Sequence, residues 1–257
     1  MDICSMRCAF LIAFFCFTLL SVETQSKEKC LDMHVIQNAP LGYYNKDNKL
    51  VGMHTEVLEE IEALSGICMR IRLMPYARIW RSIENGHHDG GIVFRSPKRS
   101  HLVEYVALIK SFKTVVIPKV GKQIRTYDDL SSLIIGKTRG TRLSDKFDND
   151  DKLTTLEVTN YKQAVSMLNI DRVDAIAGSA LVLSYQLSQN KIPVTSVDPT
   201  NNFVIGEREQ WLQLSKHSKS KVDISQLRHA VKLLIDNGTL SNIMSKYYGE
   251  NWHQVNQ

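Results

Sequence analysis

The sequence predicts an α/β fold, and three observations predict it. Short apolar runs of strand character alternate with stretches of helical spacing along most of the chain. Glycines follow closely on the last apolar residue of the helical stretches, where a left-handed turn ends a helix. Two polar breaks, Pro118 to Lys122 and Asp198 to Asn202, divide the chain without changing that alternation.

Residues 8 to 22 form an uncharged apolar run of fifteen, preceded by Arg7 and followed by small and polar residues through Ser26. A membrane span needs about 20 apolar residues. The pattern therefore predicts a cleaved secretory signal over residues 1–26, with cleavage between residues 22 and 27. An uncleaved anchor is the alternative, because Asp2 weakens the basic start and no Ala-x-Ala site is present.

The next elements alternate. Met33 to Gln37 reads as a strand; Val57, Leu58, Ile61 and Leu64 form one helix face, ended by Gly66; Met69 to Met74 is a second strand. Ile79, Trp80 and Ile83 mark a second helix, ended by Gly86. Strands are expected at Gly91 to Phe94, Lys113 to Ile117, Leu133 to Gly136, Ala175 to Gly178 and Trp211 to Ser215, with helical patterns between them. No internal repeat or low-complexity tract is visible.

Removing residues 1–26 leaves 31 Lys+Arg against 25 Asp+Glu, a moderate basic excess. The basic run Lys216 to Lys221 has no interleaved aromatics and no nucleic-acid motif, so it reads as solvated surface and no nucleic-acid partner is expected. Three of five cysteines leave with the signal. The remaining two, Cys30 and Cys68, each precede a strand, and the helix between those strands would make them parallel neighbours. In an exported chain that arrangement predicts a disulfide, two buried free thiols being the alternative.

Gly86-His-His-Asp89 suggests a metal site, yet successive residues on an extended chain point to opposite sides and no second ligand cluster accompanies them, so no metal is expected. There is no Gly-x-Ser-x-Gly elbow, Walker loop or zinc motif, and no cofactor is implied.

Two segments almost the full chain apart carry a family resemblance. Asn38-Ala-Pro-Leu-Gly-Tyr-Tyr-Asn and the stretch to Gly66 resemble the opening of the solute-binding proteins of polar amino-acid ABC transporters, the bacterial extracellular solute-binding family 3. Gln226 to Gly249, with its Asp236-Asn-Gly-Thr-Leu240 turn, is similar to that family's closing helix pair. The resemblance implies a two-lobed periplasmic-binding-protein type II fold with two hinge crossings. Its first lobe would comprise residues 27–117 and return over 201–257; its second would span 118–200. It also implies a monomer in the periplasm that captures a small polar, carboxylate-bearing solute and passes it to an inner-membrane ABC permease.

The same resemblance nominates the ligand site. Gly90 to Ser100 is similar to the family's first-lobe ligand loop, which puts Arg99 in the role of carboxylate clamp, Ser96 as a hydroxyl donor and Phe94 as a wall. A guanidinium suits the clamp, since its planar fork gives a carboxylate two parallel hydrogen bonds. Arg139-Gly-Thr-Arg-Leu-Ser144 resembles the second-lobe Gly-Thr turn, nominating Thr141 and Arg142. Tyr43 and Tyr76 fall where first-lobe wall residues are expected, and Arg78 faces either the cleft or solvent. One position departs from the family: Asp174-Ala-Ile-Ala-Gly-Ser179 ends on Ser179 where amino-acid binders place an aspartate for the ligand's ammonium. That change favours an anionic solute. The alternative function is a secreted enzyme on the same fold, resembling cyclohexadienyl dehydratase, which would need a proton-donating carboxyl in the cleft. No such group stands out, so no catalytic residue is expected.

Overall fold

A computed structural model describes residues 30–189, 201–218 and 222–255. The predicted signal lies outside the described residues, as does part of the second polar break.

The chain opens with β1 (Leu31–Ile36), whose Leu31, Met33 and Val35 are fully enclosed. A small hairpin, β2 (Tyr43–Tyr44) and β3 (Leu50–Val51), leads into α1 (Met53–Ser65). That helix buries Val57, Leu58 and Ile61 and ends at Gly66, whose φ of 70° is the left-handed conformation a glycine adopts freely. β4 (Met69–Met74) and α2 (Tyr76–Glu84) follow, then β5 (Gly90–Phe94). β1 pairs in parallel with both β4 and β5.

Strand β6 (Val103–Pro118) is much longer than the five-residue run predicted there. Beyond it come β7 (Ile134–Thr138), α3 (Asp145–Asp148), β8 (Thr154–Val158), α4 (Tyr161–Asn169), β9 (Ala175–Ser179) and α5 (Ala180–Gln189). Here β7 is the central strand, parallel to β8 on one side and β9 on the other. The long β10 (Phe203–Ser215) returns, and α6 (Ile224–Asp236), α7 (Thr239–Tyr248) and α8 (Trp252–Val255) close the described chain.

All the long strands form one eight-stranded sheet in the order β4-β1-β5-β10-β6-β9-β7-β8. β10 adds to β5 antiparallel through Gln210 to Leu214, and β6 adds to β9 antiparallel through Thr114 to Pro118. Each end is thus three parallel strands completed by one antiparallel strand, and the two completing strands pair with each other from Val103 and Ser215 to Val116 and Phe203. The result is two α/β lobes sharing a two-stranded crossing.

The inner parallel strands β1, β5 and β9 are buried on both faces, which is why their runs are mostly apolar, whereas the edge strands β4 and β8 are partly exposed. In the first lobe α1 and α6 supply Leu58, Ile61, Leu227 and Leu234, all essentially inaccessible. Burying one such side chain contributes about 1.5–3 kcal/mol. Cys30 and Cys68 are joined by a disulfide, with Cα atoms 4.5 Å apart. The bridge ties the lead-in of β1 to that of β4. Among the described residues no helix is long and apolar enough to cross a membrane.

Candidate functional site

In a sheet of this kind the carboxyl ends of the parallel strands face outward into a crevice where the topology switches, and ligands bind there. The cleft obeys that rule. A cavity of about 460 Å³ is lined by Gln37 and Asn38 just after β1, Tyr76 just after β4, Phe94 at the end of β5, Thr138 and Arg139 at the end of β7, and Ser179 at the end of β9. Both lobes therefore contribute to one chamber.

The first-lobe wall is aromatic. Tyr76 opens α2 and lies 5.4 Å from Phe94, centroid to centroid, and Phe94 lies 5.3 Å from Phe112 of β6. Burial pushes the Tyr76 phenol above its usual pKa, opposed by the nearby cations of Arg208 and Arg99. Arg78, two residues along α2, lines the cavity and is exposed to it.

The second-lobe wall is a braced turn. Thr141 donates its hydroxyl to the Thr138 carbonyl at 2.6 Å, and the Leu143 amide donates to Asp148 Oδ2 at 2.7 Å. Asp148 in turn pairs with Lys137 Nζ at 2.6 Å, almost out of solvent. Thr114 of the crossing strand donates to the Leu143 carbonyl at 3.1 Å, so the turn is fixed to the crossing as well. Arg139 lines the cavity and approaches Glu157 with its Nε at 3.3 Å. Tyr161, the first residue of α4, is buried behind Ser179, and burial pushes its phenol up to about 12.

The lobes also touch beside the cleft. Gln186 Nε2 of α5 donates to the Ala39 carbonyl at 2.7 Å, and a Cβ on Gly140 would lie 3.4 Å from that of Ala77.

Of the residues predicted from sequence, Tyr76, Phe94, Thr141 and Ser179 come together on this cavity. Tyr43 lines a smaller adjoining cavity of about 250 Å³. Ser96 lies outside the lining; its backbone N–H reaches the Tyr105 hydroxyl at 3.2 Å. Arg99 stands over the Trp80 ring, 4.8 Å from its centroid, and Arg142 is exposed beyond the turn. Sequence reasoning left Arg78 open and passed over Arg139, Asn38, Asn160 and Tyr161. Their signal was position, since each follows a strand directly or opens the helix after one.

Among the described residues the lining contains Arg78 and Arg139 as its only charged groups, and no Asp, Glu, His or Cys. It holds no side chain that would exchange a proton near neutrality. What it offers is two cations, amides, hydroxyls and an aromatic wall, a composition suited to holding a small polar molecule. No group of His, Cys, Asp and Glu side chains suited to a metal ion occurs among the described residues.

A chamber between two α/β lobes, lined at strand ends and bounded by a double crossing, defines a two-lobed ligand-binding protein of the periplasmic type II class. The chain belongs to the bacterial extracellular solute-binding proteins, family 3, whose model matches residues 33–250. Solved structures agree on the fold. The ArgBP of T. maritima, crystallised as a mutant, superposes with a TM-score of 0.70 at 15% identity, covering 86% of this chain and 95% of that one. The GluR0 ligand-binding core of Nostoc punctiforme, in complex with (L)-glutamate, gives 0.70 at 18% identity, covering 85% and 99%. A histidine kinase sensor domain with similarity to periplasmic binding proteins gives 0.71 at 13% identity, covering 86% and 97%. No curated protein is similar enough in sequence to match the chain.

Proposed function

We propose that this exported protein captures a small carboxylate-bearing solute, an amino acid or a related acid, between its lobes and hands it to an inner-membrane ABC permease. The observation that carries the reading is the charge of the cleft: Arg78 and Arg139 line it, Arg99 and Arg208 are near enough to act on the Tyr76 phenol, and the lining itself holds no carboxylate, Arg139 meeting Glu157 outside it. Family membership and the (L)-glutamate named for the GluR0 ligand-binding core support the solute class. In this reading the first lobe spans residues 27–117 and 201–257, the second 118–200, and the protein works as a monomer in the periplasm.

Arg99 takes the bidentate contact by swinging from the Trp80 face onto the ligand, with Ser96 beside it; Arg142 and Thr141 close from the second lobe. No bond is made or broken. Micromolar capture needs only about 8 kcal/mol, within reach of a forked ion pair and an aromatic wall.

A thermal-shift and calorimetric screen of amino acids, their deaminated analogues, dicarboxylates and keto acids tests the reading. A ligand at 100 times its dissociation constant raises stability by about 2.7 kcal/mol. Carboxylates should stabilise the protein and their amides should not. Equal stabilisation by the amides refutes it.

A further inference from the structure

The smaller cavity shares Gln37, Asn38 and Asn160 with the main one and adds Tyr43, Gln186 and Lys162. Its walls are set by the fold. Asn160 caps α4 by accepting the Gln163 amide at 2.8 Å, which places Lys162 on the first turn beside the shared residues. Gln186, itself buried, fixes the opposite side through its bond to the Ala39 carbonyl. Lys162 is the only charged residue in this lining, and among the described residues its ammonium has no carboxylate within ion-pair distance.

Two chambers therefore adjoin, the larger lined by two cations and the smaller by one, with no anion in either lining. The residues between them are amides, which donate and accept hydrogen bonds without neutralising charge. A short monocarboxylate fills the first chamber and leaves Lys162 unanswered. A longer solute with an acid group at each end answers both.

We propose that the solute is an elongated dianion whose second carboxylate enters the smaller chamber and pairs with Lys162. This rests on the carboxylate reading of the main cleft and narrows its solute class. Calorimetry on the full mature protein with succinate, glutarate, adipate, pimelate and suberate, each against the monocarboxylate of equal chain length, tests it. The best dicarboxylate should bind its site roughly tenfold or more tightly than its partner. That preference should fall to within about twofold in Lys162→Gln and return in Lys162→Arg, since an ion pair needs the charge more than the particular head group. If dicarboxylates bind no better than monocarboxylates, or the preference survives Lys162→Gln, the proposal is overturned and the main-cleft reading stands. If no carboxylate binds while neutral solutes do, both fall.

Discussion

Tyr161 accepts the backbone N–H of Ser179 through its phenol oxygen, at 3.1 Å, while its ring occupies the space a side chain at Gly178 would need. A Cβ on Gly178 would come within 2.1 Å of Tyr161 Cε1. The end of β9 and the start of α4 are therefore locked together at the cleft wall.

Tyr161→Phe should leave the Ser179 amide buried without a partner and destabilise the protein by about 1–3 kcal/mol. Gly178→Ala should cost a similar amount by overpacking and should also weaken ligand binding, because the displaced ring forms part of the lining. Urea midpoints and calorimetric affinities measure the two effects separately; a Gly178→Ala protein as stable as the wild type contradicts the contact.

Ser179→Asp should move the protein toward ordinary α-amino acids. The residue faces the cavity with no carboxylate beside it in the lining, and an ammonium enclosed without an anion costs several kcal/mol. The ratio of affinities for an α-amino acid and its deaminated analogue should rise by at least about tenfold. An unchanged ratio in competition calorimetry removes Ser179 from the specificity argument.

Arg99→Lys keeps the charge and loses the fork, so affinity should drop by roughly tenfold. Because the guanidinium rests on Trp80, its departure toward a ligand should alter tryptophan emission on binding in the wild type. Arg99→Ala should lack that part of the change. Identical titrations in the two proteins would show that Arg99 stays where it is.

Stability should decline in mild acid. His34 and His54 are fully enclosed, and burial is the main cause holding each near pKa 4, with His88 beside His34 adding to it. Both rings are neutral when folded, whereas an exposed histidine protonates near pH 6.5. The unfolded chain therefore binds more protons between about pH 4 and 6.5, and stability is lost as the pH falls through that window. Guanidine midpoints should be flat between about pH 7 and 8 and fall steadily below 6.5.

Cys30→Ser or reduction should lower stability by about 3–4 kcal/mol, the chain-entropy estimate for closing a loop of this length. Alkylation of the unreduced exported protein, read by intact mass, should find no free thiol. Two labelled thiols would contradict the bridge.

Much of the fold was legible because periodicity reports burial directly. The parallel partners β1 and β4, the helix between them and the disulfide they bring together all followed from apolar runs around Cys30 and Cys68. The full length of β6 and β10 was hidden, since the crossing strands mix exposed and buried positions without a regular alternation and carry Lys110, Lys113, Glu207 and Arg208 among their apolar residues. β8 was hidden for a related reason: it is an edge strand, exposed along Thr154 to Glu157. The matching strand order of the two lobes left no trace as a sequence repeat, because pairing order depends on burial pattern and connection length rather than on identity. At the site, motifs could nominate Arg99 and Arg142, but a rotamer that lays one guanidinium on Trp80 and points another into solvent is decided by packing. Arg139 needed the observation that strands end at the cleft.

The pairing of Val116 with Phe203 has an architectural consequence. The chain leaves for the second lobe and returns from it at adjacent rungs of one ladder, so that lobe is an insertion whose two ends already meet. Joining those rungs by a tight turn would convert the crossing into an ordinary hairpin and leave the order β4-β1-β5-β10-β6 intact. Such an arrangement makes half of the binding site exchangeable as a cassette: a lineage could recast the Thr138 to Ser144 turn and the Ser179 position together, while the aromatic wall of the other half went on unchanged.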